Sequence, residues 1–364
     1  MADTTISQLS LNAALTANNF IPISDGTSTT RLGTNSLLGF RNRIINGDMR
    51  IDQRNNGALL PAPNGAFTVD RWIAYQTPNG IFTAQQSAVT PNENFRNSLL
   101  LTVTTPNLNV ASNAYYALNY NIEGFDVADF GWGSAQAAPV TLSFWIRTSV
   151  AGTWVVAITN AGETRNYPAS FTVTAPDTWQ FVSLTIPGTT TGTWNKTNGV
   201  GVALRFDLGS GSNGVADAAN EWNSKLAGCR TSASINWISN TGATLYLTGV
   251  QLEKGSTATP YEFKHMSTEL AMCQRYYNNF KDTYSGILLS SGAASIIRYC
   301  LVLPVEMRAG PVVSFSNVTA GYTATNLGGA ANTKRINIEV SASSRSDFRP
   351  QVDVAATAEL VNVV

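Results

Sequence analysis

Val140-Thr141-Leu142-Ser143-Phe144-Trp145-Ile146-Arg147 sets Val, Leu, Phe and Ile on every second position, the period that gives a β-strand one buried and one solvated face. Val140, Leu142, Phe144 and Ile146 are therefore expected in a core, with Thr141, Ser143 and Arg147 turned outward. Working away from this stretch, Ser98–Thr104, Thr153–Thr159, Phe171–Thr174, Gln180–Ile186, Val200–Leu208 and Ala243–Leu252 are also rich in Val, Ile, Thr, Leu and aromatics. Clusters of Gly, Pro, Asn and Ser divide them, and no helical periodicity is sustained. Short strands punctuated in this way predict a mostly β chain whose central part, residues 45–263, is a jelly-roll β-sandwich.

The two ends read differently. Residues 1–44 carry a weak apolar pattern at Ile6, Leu9, Leu11 and Leu15, then a brief strand Phe20-Ile21-Pro22-Ile23 stopped by Ser24-Asp25-Gly26. Thr29-Thr30-Arg31-Leu32 is its expected return strand, and Thr34 or Asn35 is placed to cap a short helix through Leu37, Leu38 and Phe40. Too few apolar residues are present for an independent core, so the segment is expected to order against copies of itself or a partner. Residues 264–364 predict a short helix, N-capped by Ser267 and ending near Asn278-Asn279. A smaller C-terminal β domain follows, with strands at Ser285–Leu289, Ser295–Leu303, Val312–Phe315, Arg335–Val340 and Phe348–Val354.

Composition narrows the function classes. Hydrophobic residues make up 43% of the chain and charged ones 13%, so uncharged polar side chains supply most of the surface; disorder requires the opposite balance. Lys plus Arg and Asp plus Glu each number 23, which leaves no long-range field to draw the chain onto nucleic acid. No nucleic-acid partner is expected. The N-terminus lacks the basic start and apolar stretch of a secretory signal, and no run of 18 apolar residues occurs. Neither export by that route nor membrane insertion is expected. Cys229, Cys273 and Cys300 lack Cys-x-x-Cys spacing and read as isolated buried thiols compatible with folding in a reducing cytoplasm.

The run Arg43-Ile44-Ile45-Asn46-Gly47-Asp48-Met49-Arg50-Ile51-Asp52-Gln53-Arg54-Asn55, followed by Thr68-Val69-Asp70-Arg71-Trp72, resembles the opening of a domain common in phage and prophage tail-associated proteins. Ile122-Glu123-Gly124, Trp132-Gly133, Ile186-Pro187-Gly188 and Gly192-Thr193-Trp194 agree in order. Thr248-Gly249-Val250-Gln251-Leu252-Glu253, Thr259-Pro260-Tyr261-Glu262 and Glu269–Tyr277 close the block, which covers roughly two thirds of the chain. It is also similar to carbohydrate-binding jelly rolls. Those modules often hold a structural calcium through a carboxylate after the opening turn and acids in the last strand; Met49-Arg50 and Gly249-Val250-Gln251 stand at those places here, so no metal or other cofactor is expected. Residues 1–44 resemble the N-terminal segments that tie tail fibres to the virion, and Pro304-Val305-Glu306-Met307-Arg308 with Gly310-Pro311 resembles an element at the start of distal fibre domains.

The resemblance implies a phage virion structural protein located in the tail and made in the host cytoplasm. In that reading it is a homotrimeric tail fibre joined to other virion proteins through residues 1–44, with a distal domain facing host surface polysaccharide or lipopolysaccharide. The alternatives are a non-adhesive head-decoration or baseplate protein, and a polysaccharide depolymerase.

Aromatic side chains carry the ligand expectation, because the C–H face of a sugar stacks on an exposed ring. Phe130, Trp132, Trp194 and Trp222, in Gly-, Asn- and Ser-rich surroundings, are the candidate carbohydrate contacts; the competing reading makes them core plugs or subunit contacts. Trp72, Trp145 and Trp179, on strand-like stretches, are assigned to the core. Catalysis is not expected. His265, the single histidine, lies in a linker without a recognisable nucleophile, and Asp207, Asp217, Glu221 and Glu253 show no glycosidase spacing. Gly47 after Asn46 is read as a device for positive φ, and Asp70-Arg71 as a surface ion pair.

Overall fold

The computed structural model describes residues 20–24, 29–33, 40–61, 63–226, 228–280, 295–318, 322–326, 333–342 and 353–360. Expected elements at residues 6–15, 25–26, 34–39, 285–289 and 348–352 lie outside them. The chain divides into two compact units, residues 1–41 and 42–364. In the first, β1 (Phe20–Ser24) and β2 (Thr29–Gly33) form an antiparallel hairpin with Phe20 opposite Gly33 and Ser24 opposite Thr29, the strand and return strand read from the sequence.

The second unit begins with a two-sheet sandwich. Its strands are β3 (Ala66–Val69), β4 (Trp72–Gln76), β5 (Ile81–Ser87), β6 (Ser98–Thr105), β7 (Tyr116–Glu123), β8 (Val140–Thr148), β9 (Gly152–Thr159), β10 (Asn166–Val173), β11 (Gln180–Ile186), β12 (Val200–Asp207) and β13 (Thr244–Lys254). One sheet has the order β10-β9-β12-β7-β4-β3 and the other β11-β8-β13-β6-β5, and all pairings are antiparallel. Val140, Leu142, Phe144 and Ile146 are at most 1% exposed and meet Trp72, Leu118, Val156, Leu204 and Phe206 of the facing sheet. The period-two pattern thus selected the inner face, since moving the strand by one residue would bury Trp145 and Arg147 instead.

Helix α1 (Met266–Gln274) follows, then β14 (Tyr277–Phe280), β15 (Ser295–Val302), β16 (Val312–Ser316), β17 (Tyr322–Asn326), β18 (Arg335–Ala342) and β19 (Asp353–Thr357). They form two three-stranded sheets, β14-β19-β16 and β15-β18-β17, around a small core of Leu301, Met307, Ile336, Ile338, Val354 and Ala356. The helix starts two residues earlier than expected: His265 rather than Ser267 is the N-cap residue, its Nδ1 accepting from the Ser267 N–H. It also ends sooner, because Tyr277–Phe280 pairs with β19. A strand partner more than 70 residues away in the chain outweighs the weak local preference of Tyr-Asn-Asn-Phe.

The opening turn is the hub of this unit. Asn46 takes a left-handed φ of 59°, and its side chain accepts from Ile51 N (2.9 Å) and donates to Ile51 O (2.8 Å) and Asp70 O (2.9 Å). Its N–H donates to the buried Glu269 carboxylate of α1. Gly47 serves a different purpose from the expected one: a Cβ there would lie 2.1 Å from the Val250 carbonyl oxygen. The glycine permits backbone contact, and the asparagine carries the positive φ. Gly47→Ala is expected to lower stability by roughly 1–3 kcal/mol, the usual cost of overpacking a closed site, read as an earlier urea midpoint. An unchanged midpoint would mean that the turn moves aside freely.

Asp70 and Arg71 are each 1% exposed, which corrects their reading as a surface pair. They do not serve each other. Arg71 donates to Glu359 (2.6 Å) and to the Asn121 carbonyl (2.6 Å), while Asp70 faces Arg54 (3.6 Å) and Gln53. Arg54 reaches the other Glu359 oxygen at 2.8 Å, and Leu360 enters an apolar cluster with Ile45, Ile51, Cys273 and Tyr276. The segment after β19 is thereby fastened to the sandwich, with Ala358 N donating to Tyr276 O at 2.7 Å.

Burial pushes the carboxyls of Asp48 and Asp70 up to about 6, against the opposing pull of Arg50 and Arg54. Their folded values lie above the unfolded 3.8, so the native state binds the extra protons and gains stability as pH falls from about 7 toward 4. Denaturant unfolding should show a higher midpoint at pH 5 than at pH 7.5, and Asp48→Asn together with Asp70→Asn should flatten that slope. A wild-type slope of the opposite sign within this window would refute the assignment.

Candidate functional site

On β8 the alternation that sends Phe144 and Ile146 inward sends Trp145 and Arg147 to the outer side of the five-stranded sheet. Their neighbours follow from register. Phe181 of β11 lies opposite Trp145 with ring centroids 5.3 Å apart. Tyr246 of β13 lies opposite Arg147, whose guanidinium is 5.3 Å from the ring centroid, and Trp179 stands 6.1 Å beyond. The row of Arg147 and Tyr246 continues through Leu100 and Gln85.

A β-bulge between Thr248 and Gln251 extends this face. It contains Gly249 at φ 63°, where a Cβ would meet Phe95 at 2.9 Å and Trp145 at 3.2 Å. The glycine lets Phe95 and Trp145 close over the strand, and Phe95 in turn contacts Phe263 (5.2 Å) and Tyr261 (5.4 Å). The result is an aromatic belt from Phe181, 46% exposed, through Trp145 to Phe263, 48% exposed. Trp145, Trp179 and Tyr246 are partly exposed, so the assignment of Trp145 and Trp179 to the core is corrected. The reason is a matter of face: Trp145 stands on the outer row of β8, and Trp179, just ahead of β11, packs on Tyr246 of the same face.

At the other end of β8 the outer face is covered. Thr141 and Ser143, expected in solvent, are buried at 0% and 2%. The chain leaving β13 folds back over them, with Thr141 Oγ1 donating to Gly255 O (2.9 Å) and Gln251 Nε2 to Thr259 O (3.2 Å). Burial at that end leaves the Trp145–Arg147 end as the open part of the sheet.

The candidates read from the sequence do converge, at a different place. Trp132, Trp194 and Trp222 pack edge to face with centroids 4.8, 5.3 and 5.7 Å apart, and Phe130 lies 5.5 Å from Trp132. Each indole N–H is already engaged, by Ala138 O, Thr191 O and Pro187 O respectively. Phe130 is 1% and Trp132 3% exposed; neither presents a face to a sugar, which corrects the expectation that they contact one. They support Trp194 and Trp222, which remain partly exposed beside Arg165, 5.6 Å from the Trp222 ring. The cluster is a packed corner of the sandwich in which each ring is held by its neighbours.

The four acids without glycosidase spacing differ in role. Asp207 is 3% exposed and accepts from Ser210 N; Glu253 is 4% exposed and accepts from Thr259. Asp217 and Glu221 are exposed. Among the described residues no group of three or more His, Cys, Asp or Glu is arranged to hold a metal ion, and no helix is long and apolar enough to cross a membrane. Cys229 and Cys273 are buried and burial pushes both thiols up, whereas Cys300 is exposed, contrary to its reading as a buried thiol.

No family model matches the chain, and no curated protein matches it. Among solved structures it is similar to the enzymatically active domain of tailspike protein 4 of bacteriophage CBA120, at 16% identity and TM-score 0.33, over 59% of this chain and 22% of that one. The chain thus spans about a fifth of the tailspike domain. A CBM4 structure gives 15% identity and TM-score 0.30, covering 58% and 98% of the two chains. A family 11 carbohydrate-binding module from Clostridium thermocellum, in complex with a β-1,3-1,4-mixed-linked tetrasaccharide, gives 12% and 0.28, covering 55% and 99%. At such TM-scores these likenesses decide nothing about function, and the sandwich rests on the strand orders and registers given above.

Proposed function

We propose that this chain is a glycan-binding structural protein of a phage virion, a homotrimeric tail fibre that holds host surface polysaccharide or lipopolysaccharide and performs no catalysis. One observation carries the binding half: partly exposed Trp145, Trp179, Phe181 and Tyr246 lie side by side on an open sheet face. Flat rings at cross-strand spacing suit successive sugar units, whose C–H faces stack while Gln and Thr side chains bond the hydroxyls. Ring stacking of this kind is weak per site. Three copies on one fibre raise the effective affinity if all can engage together. The virion half rests on the sequence resemblance across residues 43–277 and on an N-terminal segment whose sequence is too poor in apolar residues for a core of its own, which suits attachment to other virion proteins.

Full-length protein should sediment as a trimer and be retained by the envelope polysaccharide of a susceptible host, with no reducing ends released. Antibody to the chain should label tail fibres on whole particles. A stable monomer that retains no polysaccharide, or label confined to the head, would overturn the proposal.

A further inference from the structure

Arg147 differs from most of the guanidinium groups held within this unit. Arg43, Arg50, Arg54, Arg71, Arg205, Arg230 and Arg275 each have a carboxylate within 4 Å. Among the described residues Arg147 has none; its Nε is buried without a hydrogen-bond partner, a trait it shares with Arg43, Arg71 and Arg308. The contact it does make is with the π face of Tyr246. Arg165, beside the tryptophan corner, is bonded to Thr189, the Trp222 carbonyl and Ser224. The outer row to which Arg147 belongs holds Trp179, Tyr246, Leu100 and Gln85, with no acid among them.

A partly exposed guanidinium set among aromatic rings, with no carboxylate of its own, is free to take the acceptors of a ligand. Its planar fork matches the two oxygens of a carboxylate or phosphate, and such pairs are stronger where rings exclude water. We infer that the aromatic belt selects an acidic glycan, with Arg147 receiving the anionic oxygens of one sugar unit while Trp145 and Tyr246 stack its neighbours. This deepens the proposed function and rests on it. It also departs from the neutral ligand that the overall uncharged surface would suggest. The same chemistry comes from a uronic-type carboxylate or from a sugar phosphate.

The test uses full-length protein on an immobilised panel of bacterial polysaccharides: neutral, carboxylate-bearing, phosphate-bearing, and carboxylate-bearing polymers whose carboxyls have been reduced to alcohols. Wild type should retain acidic polymers at least tenfold better than neutral or reduced ones, the panel separating carboxylate from phosphate. Arg147→Gln should abolish that preference, Arg147→Lys should keep part of it, and the melting temperatures of both should match wild type. Equal retention of acidic and neutral polymers, unchanged in Arg147→Gln, overturns this inference and leaves glycan binding standing. Retention of no polymer by wild type overturns both.

Discussion

Replacing Glu359 with alanine is expected to lower the unfolding free energy by about 3–5 kcal/mol, the usual effect of removing one partner of a buried ion pair. Arg71 is 1% exposed and its side chain faces Glu359 at 2.6 Å. Truncating the acid leaves a buried cation with the Asn121 carbonyl and the ring of Tyr276, whose centroid is 3.5 Å away. Arg54 loses its 2.8 Å partner at the same stroke. Urea unfolding at pH 7 measures the loss. The double variant Arg71→Met with Glu359→Leu should recover much of it, because a buried pair replaced by apolar side chains of similar volume no longer leaves a charge stranded. A single-variant loss below about 1 kcal/mol would place this contact in the class of exposed pairs and detach residues 353–360 from the sandwich.

The second large effect concerns binding. Trp145 is the centre of the belt, touching Phe181 across the β8–β11 pair and closing over Gly249 beside Phe95. Central rings of this kind carry most of the energy of an interface, about 2 kcal/mol or more on truncation, equivalent to roughly thirtyfold in affinity. Trp145→Ala should therefore reduce polysaccharide retention by at least that factor while the melting temperature stays close to wild type, since the ring stands on the outer face. Trp132→Ala should do the reverse: the ring is 3% exposed in the packed corner, so stability should fall by about 3–5 kcal/mol. If Trp132→Ala weakened binding in a protein of unchanged stability, and Trp145→Ala did not, the site would belong at the tryptophan corner.

Much of the sandwich was legible because period-two burial is a local property. Val140–Arg147 and Gln180–Ile186 needed only their own residues to declare themselves strands, and the turn at Asn46-Gly47-Asp48 announced itself by composition. The binding face was not legible. Trp145 and Trp132 look alike in a sequence, one on a strand and one in a glycine-rich loop, and the loop residue is the buried one. Three tryptophans from distant segments close on each other at 4.8–5.7 Å, a convergence that no spacing along the chain encodes. Arg147 gave a clearer hint, being read as outward from alternation alone. What it lacks, a carboxylate partner, is visible only when every neighbouring strand is in place.

By itself the sequence determined which segments become strands, which side of β8 enters the core, and that the surface would be poor in charge, because alternation and composition act on each residue through its immediate neighbours. Tertiary structure decided that Asp70 and Arg71 would be buried with different partners, that Thr141 and Ser143 would be roofed by the chain leaving β13, and that Trp145 and Tyr246 would share an open face. Those outcomes depend on strand order and register between segments up to hundreds of residues apart, and the energies that select them arise only when the sheets close on one another.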